Sequence, residues 1–456
     1  MKQIRTLVFV SITSACFATN HASANSSDLM TLYQQATGYD TEIAAAKASF
    51  LAEQQGENIA LAGLLPTLNT SASIGHTNSN GTSFNNSTSL NDNISSNSDY
   101  QTTRYTVTLT QPIFNQSNWY NLSASELSTL RAQSIYFAAQ QDLILKVASA
   151  YFNVLREKEN LKTARSQEAA VKRQYEQARE QFDVGLIAIT DVHEAKATYD
   201  ASQTNRIRSE GNLTVAIENL SRLTGQYTPE LATLQENFPI QLDPSMTADA
   251  WVNAAFENNL SIKAAEFGLK SLEKQYQANR AQHLPTLSLN ASYTNTEYSS
   301  PVDRETEDST IFLTLNLPLY SGGATQANAR QTLYLQEQAK HQLASTQRLV
   351  RVEARTEYIN IKTNIQTVES LQQNIVSRES ALEATREGYN VGTRNIVEVL
   401  DAERNYFSAL RDYANARFDF IESNLRLRRA AGTLNAKDLE ILNAWLEPER
   451  SGKNSE

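Results

Sequence analysis

The sequence predicts a mixed α and β fold with an internal duplication: a membrane β-barrel to which each chain gives four strands, continued by a long antiparallel coiled coil. Three observations predict it. The chain repeats one order of motifs in its two halves. Each half has two segments in which apolar and polar residues alternate, and each half continues into a very long helical pattern. Alternation with period two indicates strands, and a heptad period indicates coiled coils.

The N-terminal residues have the pattern of an export signal. Two basic residues precede an apolar stretch, and small residues follow at the spacing that a signal peptidase cuts. These features are Lys2, Arg5, the stretch 7–18 and Ala22-Ser23-Ala24. We therefore predict a signal peptide at residues 1–24 and an exported chain that begins near Asn25.

Cysteine content and charge exclude several classes of protein. The single cysteine, Cys16, lies inside the predicted signal peptide, and lipid anchoring there is the alternative to cleavage after Ala24. With cleavage after Ala24, the exported chain has no cysteine, which excludes disulfides and thiolate metal sites. The formal net charge of −10 disfavours a nucleic-acid partner.

The duplication is visible as three pairs of motifs. Leu-Pro-Thr-Leu occurs at 65–68 and 284–287, VTLTQPIF at 107–114 matches LTLNLPLY at 313–320, and FDVG at 182–185 matches YNVG at 389–392. We predict four segments after the signal: a first structural repeat (25–225), a connecting segment (226–246), a second structural repeat (247–433), and a C-terminal segment with a tail (434–456).

The strands are predicted from period-two alternation. Tyr105, Val107 and Leu109, for example, alternate with threonines. One face is apolar and the other carries hydroxyl and amide groups, which is typical of a barrel with lipid outside and water inside. A soluble, half-buried antiparallel sheet is the alternative. The predicted strands are about 67–77, 104–114, 286–296 and 310–319, with polar outer-surface loops at 78–99 and 299–308.

The helices are predicted from their length and their heptad stripes. Long helical patterns run from about Trp119 to Asp183 and from about Gln326 to Gly388. Ala354, Ile361 and Val368 fall on every seventh residue of the second pattern. Each long helix then reverses at a glycine, which predicts antiparallel pairs with hairpin turns at 183–190 and 389–396.

The number of strands predicts an oligomer. Four strands cannot close into a membrane barrel, because the smallest closed ones need about eight. A dimer with eight strands and a trimer with twelve both satisfy this requirement. Eight strands leave little or no lumen, whereas the polar inner rows indicate a water-filled one.

These motifs together resemble the TolC family of outer-membrane efflux channels. The resemblance rests on the two Leu-Pro-Thr-Leu strand entries, the corners PIFNQSNW (112–119) and PLYSGGAT (318–325), and the turns FDVGLIAITDV (182–192) and YNVGTRNIVEVLDA (389–402). It extends to about Leu442. It implies a homotrimer in the outer membrane, with a twelve-stranded barrel and a helical tunnel in the periplasm. It also implies an equatorial belt around the tunnel, built from the connecting segment 226–246 and the C-terminal segment that begins at residue 434.

The resemblance also implies a function and partners. The chain would be a passive exit duct of tripartite efflux pumps and type I secretion systems, opened like an iris at its periplasmic end. Its partners would be outer-membrane lipid, a periplasmic adaptor (membrane fusion) protein and an inner-membrane transporter of the RND, MFS or ABC class. It implies no enzyme activity, cofactor or metal.

Three groups of site residues are carried over from the family motifs. A gate latch would join Tyr389 and Arg394 to Thr190 and Asp191 of the same or the neighbouring subunit, with Glu180 where the family more often has glutamine. Glu398 and Asp401 would form lumen-facing carboxylate rings that favour cations, position 398 being aspartate in most of the family. The hairpin tips that would contact the adaptor are Val184, Gly185, Leu186, Val391, Gly392 and Thr393.

Other interpretations of the residues remain open at this point. Without the resemblance, the charges at both turns are ordinary solvated side chains at helix starts, favourable to the helix dipole. A structural envelope protein or adhesin with a barrel anchor is a second hypothesis for function, and a soluble periplasmic adaptor is a third. The sequence has neither a nucleophile elbow nor a Walker loop, and its five histidines lack ligand spacing.

Overall fold

The computed structural model describes residues 28–83, 94–242, 244, 246–299 and 303–447. The predicted signal peptide, its cleavage site, Cys16 and the end of the C-terminal tail lie outside the described residues. Part of each predicted outer loop does so as well.

The elements follow one another in the same order in both halves. Two short helices, two strands and two very long helices make up each half. The first half contains α1 (Leu29–Tyr39), α2 (Thr41–Ala62), β1 (Thr67–Ser83), β2 (Ile94–Phe114), α3 (Gln116–Asp183) and α4 (Ile189–Thr224). The second contains α5 (Ala248–Asn258), α6 (Leu260–Ala281), β4 (Thr286–Ser299), β5 (Arg304–Asn316), α7 (Ala324–Asn390) and α8 (Ile396–Ala430).

Three small elements belong to the connecting segments. They are β3 (Thr233–Leu234) between the halves, then α9 (Ala436–Asn443) and β6 (Leu446–Glu447) near the C-terminal end. β3 pairs with β6 in an antiparallel two-stranded sheet. The two segments predicted to be equatorial therefore meet in space.

The four long strands form one antiparallel sheet in the order β1-β2-β4-β5. The pairing of β2 with β4 joins the two halves. The register aligns Leu68, Leu109, Ala291 and Ile311 side by side, so one apolar row crosses all four strands. This confirms the predicted alternation.

The opposite face of the sheet carries a row of polar contacts. The hydroxyls of Thr106 and Thr294 lie 3.3 Å apart, and Thr110 donates to Asn290 across 3.2 Å. The Asn290 amide donates in turn to Thr314 Oγ1 at 3.1 Å. These bonds link β2, β4 and β5 through side chains, in addition to the backbone ladder.

The predicted strand ends were wrong in both strand pairs. The first hairpin continues into the predicted polar loop, with Asn78 opposite Asp99, because the backbone ladder needs no apolar side chains. β5 begins at Arg304 inside the second predicted loop, and it ends at Asn316 instead of about residue 319. Pro318 has no N–H to extend the ladder, and a turn at Gly322 and Gly323, both with positive φ, follows.

The long helices match their predictions. α3 has 68 residues and α7 has 67, so each is about 100 Å long. α3 packs along α4 and α7 along α8, and α3 also contacts α8, which joins the two hairpins. The predicted heptad residues Ala354, Ile361 and Val368 of α7 are buried in these seams, as are Val147, Val154 and Leu161 at the same spacing in α3. Among the described residues, no helix is both long enough and apolar enough to cross a membrane.

The main apolar core lies where the connecting segments cover the middle of the long helices. Tyr151 of α3 is fully buried and donates its hydroxyl to the carbonyl oxygen of Ala232, 2.6 Å away. Arg429 of α8 binds Asp142 of α3 at 2.5 Å and Glu353 of α7 at 3.0 Å. This core fixes the two hairpins at one level and leaves their turns far from it, at the ends of the long helices.

Candidate functional site at the hairpin turns

Both hairpin turns are built on a glycine in the left-handed region. Gly185 has φ +77° and Gly392 has φ +78°, and each follows the last turn of a long helix. The next N–H closes the turn by donating five residues back, from Leu186 to Gln181 and from Thr393 to Gly388, both at 2.8 Å. The repeated sequence therefore produces the same backbone turn twice.

The predicted tip residues lie at the ends of the hairpins. Val184, Leu186 and Val391 have exposed fractions of 71%, 73% and 72%. Apolar side chains this exposed at the end of a long rod are available to a partner. That they contact an adaptor stays a prediction.

A hydrogen bond joins the second hairpin to the first. The Tyr389 hydroxyl of α7 donates to Oε1 of Gln181 on α3 at 2.7 Å. Burial raises the pKa of Tyr389, and the nearby Asp191 carboxylate raises it further. The structure thus brings two predicted latch residues, Tyr389 and Asp191, close together.

Gln181 was not among the residues predicted from the sequence, which indicated the adjacent Glu180 instead. The side chains of Glu180 and Thr190 are both exposed. The family motif aligns the turn but does not show which of two neighbouring helical positions faces the other hairpin. Only the helix crossing decides this.

Arg394 has a different partner from the predicted one. Within the chain its Nη1 binds Glu398 Oε2 at 2.7 Å, so the predicted bond to Asp191 is wrong for a single subunit. Glu398 lies four residues further along and faces the same side, which makes it the nearer carboxylate. The contact to Asp191 of a neighbouring subunit stays a prediction.

The two predicted ring carboxylates lie in the first turns of α8. The Asn395 side chain caps this helix by accepting from the Glu398 N–H at 3.0 Å, and it donates to Glu398 Oε1 at 3.0 Å. Asp401 binds Arg404 at 2.6 Å. The two carboxylates border a groove of about 280 Å³ that Arg378, Thr385, Arg394 and Asn405 also line.

Arg378 and Arg404 are further residues that sequence reasoning missed. Arg404 had a usable signal, because it follows Asp401 by three residues in a predicted helix and therefore lies on the same face. Arg378 had none, since it reaches the groove from the other helix of the hairpin.

An apolar cluster lies beneath the hydrogen bond between the hairpins. Val171 and Ala178 of α3 and Ala195 of α4 pack against Ile396, Val399 and Leu400 of α8. Tyr389 is packed at the edge of this cluster. The contact between the hairpins therefore has an apolar base with a polar bond at its edge.

A buried ion pair ties the second hairpin internally. Glu403 of α8 is fully buried, and its Oε1 accepts from Arg386 of α7 at 2.5 Å. Glu403 Oε2 and Arg386 Nε have no hydrogen-bond partner within the described part of the chain. Sequence reasoning missed this pair, although a carboxylate four residues after Val399, on the heptad seam, was a detectable anomaly.

Comparison with known proteins identifies the family. The outer membrane efflux protein family matches residues 32–226 and 251–433. The outer membrane protein TolC of Vibrio cholerae is 34% identical over 439 residues, covering 95% of this chain and 97% of the relative. TolC of Escherichia coli is 36% identical over 429 residues, covering 91% and 84%. The proteases secretion protein PrtF of Dickeya chrysanthemi is 26% identical, covering 93% and 92%.

A solved structure supports the same fold. The chain superimposes on CusC with a TM-score of 0.77 at 18% identity, covering 89% of this chain and 92% of that one. At this identity the likeness concerns the fold alone. The sequence matches, in contrast, extend over nearly the whole chain. They show that the protein belongs to the outer membrane efflux protein family, as a TolC-type channel of the outer membrane and not an enzyme.

Proposed function

We propose that three copies of this chain form a passive exit duct, with one twelve-stranded barrel in the outer membrane and a helical tunnel in the periplasm. The duct serves efflux pumps and type I secretion systems. One observation carries the proposal. An apolar row crosses all four strands of the sheet while the opposite face is lined by hydroxyl and amide groups.

The edges of the sheet support assembly. β1 and β5 are the edge strands, with 17 and 13 residues. Long unpaired edges are avoided in native proteins, because their backbone groups pair with other chains. Pairing β5 of one copy with β1 of the next would satisfy both edges.

The exposure of the apolar row supports a lipid environment. Leu68 is 69% exposed, Ile311 is 76% exposed and Leu315 is 68% exposed in the single chain. An apolar surface this large is unfavourable in water and favourable in lipid. The polar face would then line the lumen, and twelve strands leave room for water where eight do not.

The hairpins supply the gate of the proposed duct. Tyr389, bound to Gln181 beside Asp191, holds the second hairpin against the first. Opening would separate the two hairpins and break this bond three times in a trimer. Arg394 would add a link to Thr190 or Asp191 of the neighbouring subunit, and Glu398 and Asp401 would face the narrowest part of the lumen.

The exposed tips supply the docking surface. Val184 and Leu186 on the first turn and Val391 on the second would give a trimer six apolar tips. A periplasmic adaptor protein would bind these tips and couple the duct to an inner-membrane transporter of the RND, MFS or ABC class. The family description, outer membrane efflux protein, supports a role in efflux, and the name of the relative PrtF, a proteases secretion protein, supports a role in the secretion of proteins.

The mass of the assembled protein and its ion conductance in a lipid bilayer test the proposal. One chain has a mass of 50.8 kDa, so native mass spectrometry in mild detergent should give three times the mass of the processed chain. The purified trimer should form discrete channels in planar lipid bilayers. A monomer that stays in solution without detergent, or a trimer that never conducts, contradicts the proposal.

A further inference from the structure

One side of α7 differs from the equivalent side of α3. α3 packs along α2 and α4 of its own repeat and also along α6 and α8 of the other repeat. α7 packs along α6 and α8 of its own repeat, which occupy the places of α2 and α4. The side of α7 that corresponds to the contact of α3 with the other repeat therefore lies at an edge of the single chain.

The duplication allows the long helices of the two repeats to be compared residue by residue. Gly392 of the second turn corresponds to Gly185 of the first, an offset of 207 residues. The same offset relates Gly225 to Gly432, which lie just after α4 and α8, both with positive φ. It also relates the heptad stripe of α3 to that of α7.

An aromatic pair holds the two repeats together within the chain. Phe152 of α3 and Phe418 of α8 are both buried, with ring centroids 6.2 Å apart. The offset places Ile359 of α7 at the position of Phe152, and Gly211 of α4 at the position of Phe418. These two residues do not pair within one chain, because α3 and α8 separate α4 from α7.

Both counterparts of the aromatic pair are exposed. Ile359 is 60% exposed, and a Cβ atom added at Gly211 would meet nothing within 4 Å. A glycine in the interior of a helix lowers stability relative to alanine, and no neighbour within the chain requires one at this position. A partner that approaches α4 closely and covers α7 would account for both features.

The same relation recurs nearer the strands. By the offset between the two Leu-Pro-Thr-Leu motifs, Ile59 of α2 corresponds to Ala278 of α6. Ala278 is buried, because α6 packs between α3 and α7, whereas Ile59 is 74% exposed. α2 packs along α3 and lacks the second neighbour that α6 has. The helix α7 of another copy would supply this neighbour.

We propose that α7 of one copy packs against α4 and α2 of the next copy, with Ile359 placed over Gly211. The contact between copies then repeats the contact between the two repeats of one chain. This inference rests on the proposed trimer, and it names the helical surface through which the copies bind one another. It agrees with the proposed strand pairing, in which β5 of one copy meets β1 of the next.

The contact between copies differs in charge from the contact within the chain. Arg156 of α3 binds Asp419 of α8 at 2.6 Å. The offset places Thr363 and Asn212 at these positions of α7 and α4. Because neither side chain is charged, apolar packing at Ile359 should contribute more to the contact between copies than ion pairing at this position.

Cross-linking of paired cysteines tests the contact. The exported chain is predicted to contain no cysteine of its own, so only the introduced residues can react. Ile359→Cys combined with Gly211→Cys should give a covalent trimer on a denaturing gel after treatment with bismaleimidoethane, whereas each single variant should stay monomeric. Val376→Cys combined with Gly211→Cys is the matched control. Val376 lies about 25 Å further along α7, so this pair should not cross-link.

A buried charge tests the same contact without cysteines. Ile359→Lys would place an ammonium group in each of three contacts, which is unfavourable without a counter-charge. The trimer should then dissociate at a lower urea concentration, measured by size-exclusion chromatography in mild detergent. Val376→Lys should dissociate like the native protein. Val376 is nearly as exposed as Ile359 in the single chain, but its counterpart in α3, Ala169, is exposed as well.

Two results would overturn the inference while leaving the proposed duct intact. One is a native trimer in which the pair at positions 359 and 211 does not cross-link. The other is an Ile359→Lys trimer that dissociates at the same urea concentration as the native and Val376→Lys proteins. Absence of a trimer in the native protein would instead overturn the proposed function.

Discussion

The two hairpins share a backbone turn but are held together in different ways. In the first, Tyr175 stacks on Tyr199 with ring centroids 6.0 Å apart, and the half-exposed pair of Arg165 and Glu210 joins α3 to α4. In the second, a fully buried Glu403 binds Arg386 across the seam between α7 and α8. The positions equivalent to Arg386 and Glu403 are Arg179 and Lys196, and Lys196 is exposed.

This comparison shows which features the two copies of the hairpin share and which they do not. The glycine turn depends on backbone geometry and is the same in both copies. The seam depends on side chains, and there only the second copy has a buried charge among the described residues of the two hairpins. Such a charge stabilises the folded state little compared with an apolar pair, but losing one partner is costly. The second hairpin should therefore be the more sensitive of the two.

The largest expected effect comes from breaking the buried pair. Arg386→Ala leaves Glu403 buried without a counter-charge and should lower the stability of the second hairpin by about 3 kcal/mol or more. Hydrogen exchange of the backbone amides in residues 380–410 measures this. Arg165→Ala removes a solvent-exposed ion pair with Glu210 from the first hairpin and should leave exchange there nearly unchanged.

A rescue variant separates the charge from the packing. Replacing both partners, with Arg386→Met and Glu403→Leu, should restore slow exchange, because no uncompensated charge stays buried. Equal exchange in Arg386→Ala and the native protein would show that the pair does not distinguish the hairpins.

The next effect tests the feature that the hairpins share. Gly185→Ala and Gly392→Ala each place a side chain at a φ near +77° with nothing within 4 Å of the new Cβ. Each substitution should lower the free energy of unfolding by about 1–2 kcal/mol through backbone strain alone. Hydrogen exchange at each turn should show equal losses, and a clear inequality would mean that the turns are not equivalent.

Removing the hydrogen bond between the two hairpins should lower the stability by a smaller amount. By the same offset, Phe182 occupies in the first copy the position of Tyr389 in the second. Tyr389→Phe removes the hydrogen bond to Gln181 and makes the copies alike, at a cost of about 1 kcal/mol per subunit. Single-channel conductance or open time should rise.

Tyr413→Phe is the control for that experiment. Tyr413 lies on α8, where Arg417 stacks over its ring, and among the described residues its hydroxyl makes no hydrogen bond to the first hairpin. Removing the Tyr413 hydroxyl should leave the gating of the channel unchanged. A Tyr389→Phe channel that also gates like the native one would contradict the role of the link.

The smallest effect is expected on changing pH. Burial and the nearby Asp191 raise the pKa of Tyr389 above its ordinary value of 10.0 in the closed arrangement. A released tyrosine ionises at the ordinary value, so the contribution of Tyr389 is fully present below about pH 10 and is lost above it. Conductance should be insensitive to Tyr389 ionisation between about pH 6 and 9. The rise above about pH 10 should be absent from Tyr389→Phe.

The sequence by itself determined the elements and their faces. The row that joins Leu68, Leu109, Ala291 and Ile311 follows from period-two alternation, because alternate side chains share one face of a strand. The buried seams follow from the heptads in the same way. Both are local properties of the chain and need no knowledge of its distant contacts.

The tertiary structure decided which side chains meet. Tyr389 donates to Gln181, which lies 208 residues away in the sequence. Arg394 binds Glu398 and not Asp191, and the buried Glu403 binds Arg386 of α7. These pairings depend on where and at what rotation the helices cross. A shift of one position along a helix turns a side chain by about 100°, from a neighbouring helix toward solvent. Sequence periodicity fixes the face of each helix, whereas only packing fixes the partner.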